Sequence, residues 1–105
     1  MTLQEIITAI QDYMPDPDVE VIRQAYAFVR EKHQGQTRAS GEPYVTHVQE
    51  VAFLATKLRL DVPSVATALL HDTVEDTDVT LQVIQNQFGK EIAELVDGVT
   101  KLNQI

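Results

Sequence analysis

Residues 65–76 of this chain read Val65-Ala66-Thr67-Ala68-Leu69-Leu70-His71-Asp72-Thr73-Val74-Glu75-Asp76. An apolar run leads directly into one histidine and three carboxylates. This pattern is typical of a helix that positions ligands at a site. Histidine and carboxylate together form the mixed nitrogen and oxygen ligand set that divalent metals favour. The stretch therefore predicts a helix that carries most of a metal-dependent hydrolase site.

The size and composition of the chain bound its class. Its 105 residues fit one domain that can bury a core, and an apolar content of 44% argues against disorder. No apolar run approaches the length of a membrane span, and the N-terminus lacks the basic and apolar regions of a secretory signal. The sequence contains no cysteine, which excludes disulfides and thiolate metal sites and fits a cytoplasmic protein.

The charge is acidic and unevenly distributed. A net charge of −8 disfavours nucleic acid or a membrane surface as a partner. Residues 61–97 carry eight acidic residues and one basic residue, whereas residues 23–38 carry four basic residues and one acidic residue. Such a chain can still hold an anionic small molecule, because a bound metal and an arginine supply local positive charge.

Helical periodicity runs through almost the whole chain, and no segment alternates as a strand would. Thr2 and Glu5 have the spacing of a capping box and begin a helix that should end near Met14, before Pro15. Asp18 should cap a second helix. The pattern predicts an all-α fold in which several helices pack around one core.

Caps and stops predict the remaining helices. Thr46 should cap a helix over residues 47–58, and Asp61 with Pro63 should open the helix that runs into the His71 cluster. Thr80 should cap a fifth helix that stops at Gly89, and a last helix should cover residues 91–102. Residues 34–46 form a loop that is either a plain connector or a functional loop.

The spacing within the cluster suggests a division of roles. On a continuing helix, His71 and Glu75 share a face, as do Asp72 and Asp76. One metal needs more than two ligands, and His47 begins a helix directly after the loop. The candidate metal ligands are therefore His47, His71 and Asp72. Glu75 and Asp76 are left to orient and deprotonate an attacking water.

Simpler interpretations stay open at this point. A lone helical histidine is more often a core or surface group than a ligand, and His33 is expected to be structural, holding the loop. The acidic residues could form a solvated helix end, although carboxylates there oppose the helix dipole. Calcium binding is a further possibility for an acidic run, but the sequence has no EF-hand spacing.

The cluster is accompanied by other segments in a fixed order. They read His33-Gln-Gly-Gln-Thr-Arg38-Ala-Ser40-Gly-Glu-Pro-Tyr44-Val-Thr-His47, Ala68-Leu-Leu-His71-Asp72-Thr-Val-Glu75-Asp76-Thr77, Phe88-Gly89 and Leu95-Val-Asp97-Gly98-Val-Thr100-Lys101-Leu102. From about residue 25 onward, this pattern resembles the N-terminal hydrolase domain of the Rel/SpoT family. These bacterial enzymes make and degrade the alarmone (p)ppGpp, and the domain belongs to the HD phosphohydrolase superfamily.

The resemblance implies a reaction and a role for each matching residue. The reaction is removal of the 3′-pyrophosphate from (p)ppGpp, which gives GDP or GTP and pyrophosphate. Manganese is the metal usual in the family. The implied roles are metal ligation by His47, His71 and Asp72, water activation by Glu75 and Asp76, packing against guanine by Arg38, and a place in the same nucleotide-binding loop for Ser40.

One family feature is not found in the sequence. The family has a fourth metal ligand, an aspartate in a later helix, and this chain stops at Ile105 before any such motif. The resemblance therefore implies that residues 1–105 are a partial HD hydrolase domain, a helical bundle truncated at its C-terminus. We expect weak manganese binding, poor (p)ppGpp hydrolysis, and self-association through exposed apolar surface.

Two other functions remain open. The chain could be an HD phosphohydrolase that acts on another nucleotide, or a non-catalytic fragment that acts as an interaction module.

Overall fold

The computed structural model of the chain describes residues 2–37 and 39–103. This part of the chain forms seven α-helices: α1 Leu3–Tyr13, α2 Val19–Lys32, α3 Tyr44–Lys57, α4 Val62–Leu70, α5 Thr73–Asp76, α6 Leu81–Phe88 and α7 Lys90–Asn103. Within these residues the only strand-like pairing is one isolated bridge between Thr37 and Pro43. The predicted all-α fold is confirmed. None of the helices described is long and apolar enough to cross a membrane.

Helix α4 lies at the centre of the bundle. It packs against α2, α3 and α7, while α1 packs against α3. Val65, Leu69 and Leu70 of α4 are completely buried. A helix that is apolar around most of its circumference is stable only when other elements cover it. The apolar run that precedes His71 is therefore the central core helix, and it ends at the candidate site.

Three of the five predicted side-chain caps are confirmed. The hydroxyl of Thr2 accepts a hydrogen bond from the amide of Glu5 at 3.2 Å, and Asp61 and Thr80 cap α4 and α6 in the same way. Asp18 occupies the cap position of α2, but its side chain makes no capping hydrogen bond. Its backbone (φ −78°, ψ 81°) differs from the extended backbone of Thr2, so its carboxylate is not aimed at the free amides of the helix.

Helix α3 begins at Tyr44, three residues before the predicted start, and Thr46 lies inside it instead of capping it. Pro43 is the cap residue, and its carbonyl accepts a hydrogen bond from the amide of Thr46 at 3.2 Å. The sequence concealed this start because tyrosine, valine and threonine are weak helix formers. As a result, His47 lies one turn inside a formed helix.

Helix α4 ends at Leu70, so the prediction of one helix continuing through the cluster is wrong. His71 and Asp72 lie in a turn before the short helix α5. The buried hydroxyl of Thr73 donates to the carbonyl of Leu70 at 2.7 Å, and such bonds to a preceding carbonyl compete with helical hydrogen bonding. The regular helix α4 therefore ends where the candidate ligands lie.

Candidate metal centre

Three side chains converge at the end of α4. One ligand atom each from His47, His71 and Asp72 lies within 4.8 Å of the others. The Oδ2 atom of Asp72 is 3.2 Å from Nε2 of His71 and 3.7 Å from Nε2 of His47. The two imidazole rings are 5.7 Å apart between centroids. The structure thus brings the three predicted ligands together, while their role as metal ligands stays a prediction.

Helix packing places these ligands. His47 comes from α3, and His71 and Asp72 follow α4, which packs directly on α3. Val48 directly after His47 and Leu70 directly before His71 are both completely buried. Since closely packed core residues have little freedom to move, the neighbouring imidazoles are held at the boundary between core and solvent.

The ring of His71 is oriented by a main-chain group. Its Nδ1 atom lies 2.6 Å from the carbonyl oxygen of Ala68. A carbonyl only accepts, so Nδ1 carries the hydrogen and donates it. This bond directs Nε2 toward the cluster, and metal-binding histidines are typically oriented by such a hydrogen bond from the other ring nitrogen.

The charges of the cluster stabilise one another. Burial acts to lower the pKa of His71, but hydrogen bonds to Asp72 and the Ala68 carbonyl, with the charges of Asp72 and Asp76, raise that pKa overall. Burial acts to raise the pKa of Asp72, and the hydrogen bond and charge of His71, with the charges of His47 and His33, lower it overall. Both shifts favour a protonated His71 beside an ionised Asp72, and a metal that binds the His71 imidazole has to compete with that proton.

The donor set fits a divalent cation. Two imidazole nitrogens and one carboxylate oxygen are half-buried and lie close enough to share an ion. Three protein ligands leave coordination positions for water or substrate, which distinguishes catalytic from structural metal sites. The cluster could therefore bind a metal that takes part in chemistry.

Glu75 and Asp76 lie beside this cluster without joining it. Both are exposed on α5, and their carboxylates are not among the atoms that converge within 4.8 Å. The charge of Asp76 nevertheless reaches His71, since it contributes to the raised pKa of that imidazole. Their assignment as water-activating residues stays a prediction.

The predicted substrate-binding residues belong to the loop between α2 and α3. Ser40 is exposed in a turn of this loop. Arg38 lies outside the described residues, so the structure gives no position for it. Both assignments stay predictions.

A second contact network joins this loop to α5. His33 is buried, stacks on Tyr44 and places Nδ1 3.3 Å from Oε1 of Gln36. The Nε2 atom of Gln36 lies 3.5 Å from the carbonyl oxygen of Asp76. No local pattern in the sequence points to Gln36, because its partner is 40 positions away and no periodicity relates the two residues.

An apolar groove of about 420 Å³ extends from the cluster along α3, α4 and α7. Its lining includes His71 and three leucines, Leu54, Leu58 and Leu95. These three leucines are at least 38% exposed. The groove is thus an apolar surface that is continuous with the candidate metal centre.

Comparison with known proteins gives consistent results. Residues 25–105 match the family described as HD domain. The chain is 47% identical over 95 residues to a guanosine-3′,5′-bis(diphosphate) 3′-pyrophosphohydrolase of Vibrio cholerae, and 48% identical over 96 residues to the bifunctional (p)ppGpp synthase/hydrolase SpoT of Escherichia coli strain K12. It is 45% identical over all 105 residues to the GTP pyrophosphokinase rsh of Brucella melitensis.

These alignments cover 90%, 91% and 100% of this chain, respectively. The chain spans only 14% of the length of each of the three relatives.

Proposed function

This chain belongs to the HD-domain family, and we propose on that basis that residues 1–105 are a partial HD hydrolase domain acting on (p)ppGpp. The proposed reaction removes the 3′-pyrophosphate and leaves GDP or GTP. The observation that carries the proposal is the convergence of His47, His71 and Asp72 within 4.8 Å. The similar proteins from V. cholerae and E. coli are named for activity on this substrate class, which supports the proposal.

The proposed metal is manganese, held by His47, His71 and Asp72. Imidazole and carboxylate ligands suit several divalent first-row metals, and manganese is chosen among them because it is the metal usual in the family that the sequence resembles. When bound, the ion supplies charge neutralisation for the pyrophosphate and a more acidic water. The Ala68 carbonyl holds His71 with Nε2 available for ligation, so the protein contributes a pre-oriented ligand.

Glu75 and Asp76 are the proposed general bases. Both carboxylates are exposed, so either can accept a proton from water and return it to solvent. The amide of Asp76 donates to the carbonyl of Asp72 at 2.9 Å, so the backbone of Asp76 lies one helical turn after that candidate ligand. The two residues are therefore close to the metal centre without occupying it.

The loop between α2 and α3 is the proposed nucleotide-binding segment. The planar guanidinium of Arg38 suits stacking on guanine, and Ser40 offers a hydroxyl in the same loop. The contact between Gln36 and the Asp76 carbonyl joins this loop to the carboxylate-bearing helix, which supports a shared site. A cytoplasmic location belongs to the same proposal, because a chain without cysteine fits a reducing compartment.

Pyrophosphate release from ppGpp tests this function. We expect slow release that requires Mn²⁺, stops with EDTA and falls about 100-fold in Glu75→Gln, because loss of a general base typically costs that much. Glu91→Gln is the matched control, since Glu91 is an exposed glutamate on α7 and should retain the wild-type rate.

Other outcomes of this assay identify the competing functions. Faster hydrolysis of a different nucleotide would assign the chain to another phosphohydrolase activity. Tight Mn²⁺ binding without release of pyrophosphate would favour a non-catalytic interaction module.

The exposed apolar surface supports a further proposal, that the chain self-associates. Leu58 and Leu54 of the groove are 73% and 58% exposed, and contiguous apolar surface of this kind marks contact sites. We expect sedimentation equilibrium to show dimers that Leu58→Glu weakens about tenfold or more, because the substitution places a charge in an apolar contact. Gln11→Glu adds the same charge at an exposed position of α1 and should have no effect on dimer formation. A monomeric wild type at millimolar concentration would contradict the proposal.

A further inference from the structure

His33 is a buried polar ring outside the metal cluster. It is 4% exposed, and its ring lies 4.6 Å from that of Tyr44 at an angle of 13°. Its Nδ1 atom donates to Oε1 of Gln36, because an amide oxygen can only accept. Its Nε2 atom is buried and has no hydrogen-bond partner among the residues described. A phenyl ring would stack on Tyr44 without burying that nitrogen, so the contact with Gln36 is what the imidazole adds.

Gln36 passes this contact on to helix α5. With Oε1 accepting from His33, its amide group is oriented so that Nε2 donates to the carbonyl oxygen of Asp76 at 3.5 Å. That carbonyl belongs to the last residue of α5, where a helix has no partners of its own for its carbonyl groups. The contact thus satisfies a free group of the helix and ties it to the loop.

Helix α5 needs such an anchor. It has four residues, and a single helical turn is not stable by itself. Thr73, at its first position, is completely buried, whereas Glu75 and Asp76 are exposed. The position of the two carboxylates is therefore set by core packing at one end and by the Gln36 contact at the other.

From this geometry we propose that His33 and Gln36 form a positioning relay that fixes α5, and with it Glu75 and Asp76, relative to the metal ligands. The catalytic consequence rests on the proposed function, whereas the structural part does not. The relay joins the proposed nucleotide-binding loop to the proposed general bases.

Amide hydrogen exchange on the full chain tests the relay without any assay of activity. The reporters are the amides of Asp76 and Thr77, which donate to Asp72 and Thr73 within and at the end of α5. Gln36→Met keeps the size of the side chain and removes both hydrogen-bonding groups. It should raise exchange at these amides about fivefold, the effect of losing one ordinary hydrogen bond. Gln34→Met makes the same change at an exposed neighbour and should have no effect.

Two substitutions of His33 separate its stacking from its hydrogen bond. His33→Phe keeps the ring and loses the donor, so exchange should rise as in Gln36→Met. His33→Asn keeps a hydrogen-bond donor near the Nδ1 position, so exchange at the amides of Asp76 and Thr77 should stay close to the wild-type rate. Exchange in Gln36→Met and His33→Phe that stays within about twofold of wild type would overturn the relay, because a lost hydrogen bond should change it more.

The expected effect of the relay on catalysis is tested by separate measurements of kinetics and metal binding. Gln36→Met should lower kcat for pyrophosphate release about tenfold, since small misplacements of catalytic groups are costly, while the affinity for Mn²⁺ stays unchanged. An equal loss of Mn²⁺ affinity would overturn the positioning role in favour of general destabilisation. If the wild-type chain does not hydrolyse ppGpp, the proposed function is refuted. That result does not bear on the relay, because the exchange measurements test the relay independently.

Discussion

Replacing His71 by alanine is expected to lower the affinity of the chain for Mn²⁺ by about 100-fold or more. Losing a group that only hydrogen-bonds to a metal ligand already costs roughly 10- to 100-fold in metal affinity, and this substitution removes a candidate ligand itself. His71 supplies the imidazole that the Ala68 carbonyl orients, and its Nε2 lies 3.2 Å from Asp72. Without it, His47 and Asp72 remain, and two ligands hold a divalent ion poorly. Isothermal titration calorimetry at neutral pH measures the change.

A matched pair of aspartates controls this experiment. Asp72→Asn removes the charge from the cluster and should weaken Mn²⁺ binding to a similar extent. Asp78→Asn makes the same chemical change six residues later, at an exposed position outside the cluster, and should leave the affinity within about twofold of wild type, as expected for a surface charge. Unchanged binding in His71→Ala would show that any metal binds elsewhere.

Leu69→Ala is expected to destabilise the fold by about 3 kcal/mol, within the range measured for buried leucines. Leu69 is completely buried in α4, the helix that packs on α2, α3 and α7. Truncation leaves a cavity that these helices cannot fill without moving. The loss is a large share of the roughly 5–15 kcal/mol that stabilises a typical domain, so part of the variant should unfold on mild heating.

Leu102→Ala is the matched control for this effect. The change is chemically identical, but Leu102 is 67% exposed and lies outside the apolar groove, so the free energy of unfolding should fall by less than about 1 kcal/mol. Urea unfolding followed by circular dichroism gives both values. EDTA must be present, because a bound metal stabilises the native state by mass action. Equal losses in the two variants would contradict the central position of α4.

Local signals in the sequence predicted helix starts well. Thr2, Asp61 and Thr80 cap amides only three residues away, so each interaction is encoded within one turn. The two wrong boundaries have different causes. Helix α3 starts earlier than predicted, with Pro43 as its cap residue. Its first residues have weak helix propensity, so the sequence does not signal this start. The end of α4 is accompanied by a hydrogen bond from a buried threonine that the apolar pattern does not reveal.

The candidate site could be predicted only in part. Ligand chemistry and the resemblance to a known family selected His47, His71 and Asp72, and the packing of α3 on α4 brings them together. The position of Glu75 could not be predicted, because the assumed continuous helix ends at Leu70. The contact between Gln36 and Asp76 also escaped prediction, since spacing rules describe neighbours along a helix and not residues 40 positions apart.

The central claim is that imidazoles from two separate helices and one aspartate bind the same ion. Pulsed electron paramagnetic resonance of the Mn²⁺ complex tests this directly, because nitrogen nuclei bonded to the metal couple to its electrons. We predict couplings from two histidine nitrogens in the wild type and from one in His47→Ala. A spectrum without directly bonded nitrogen, or one that His47→Ala and His71→Ala leave unchanged, would contradict the account.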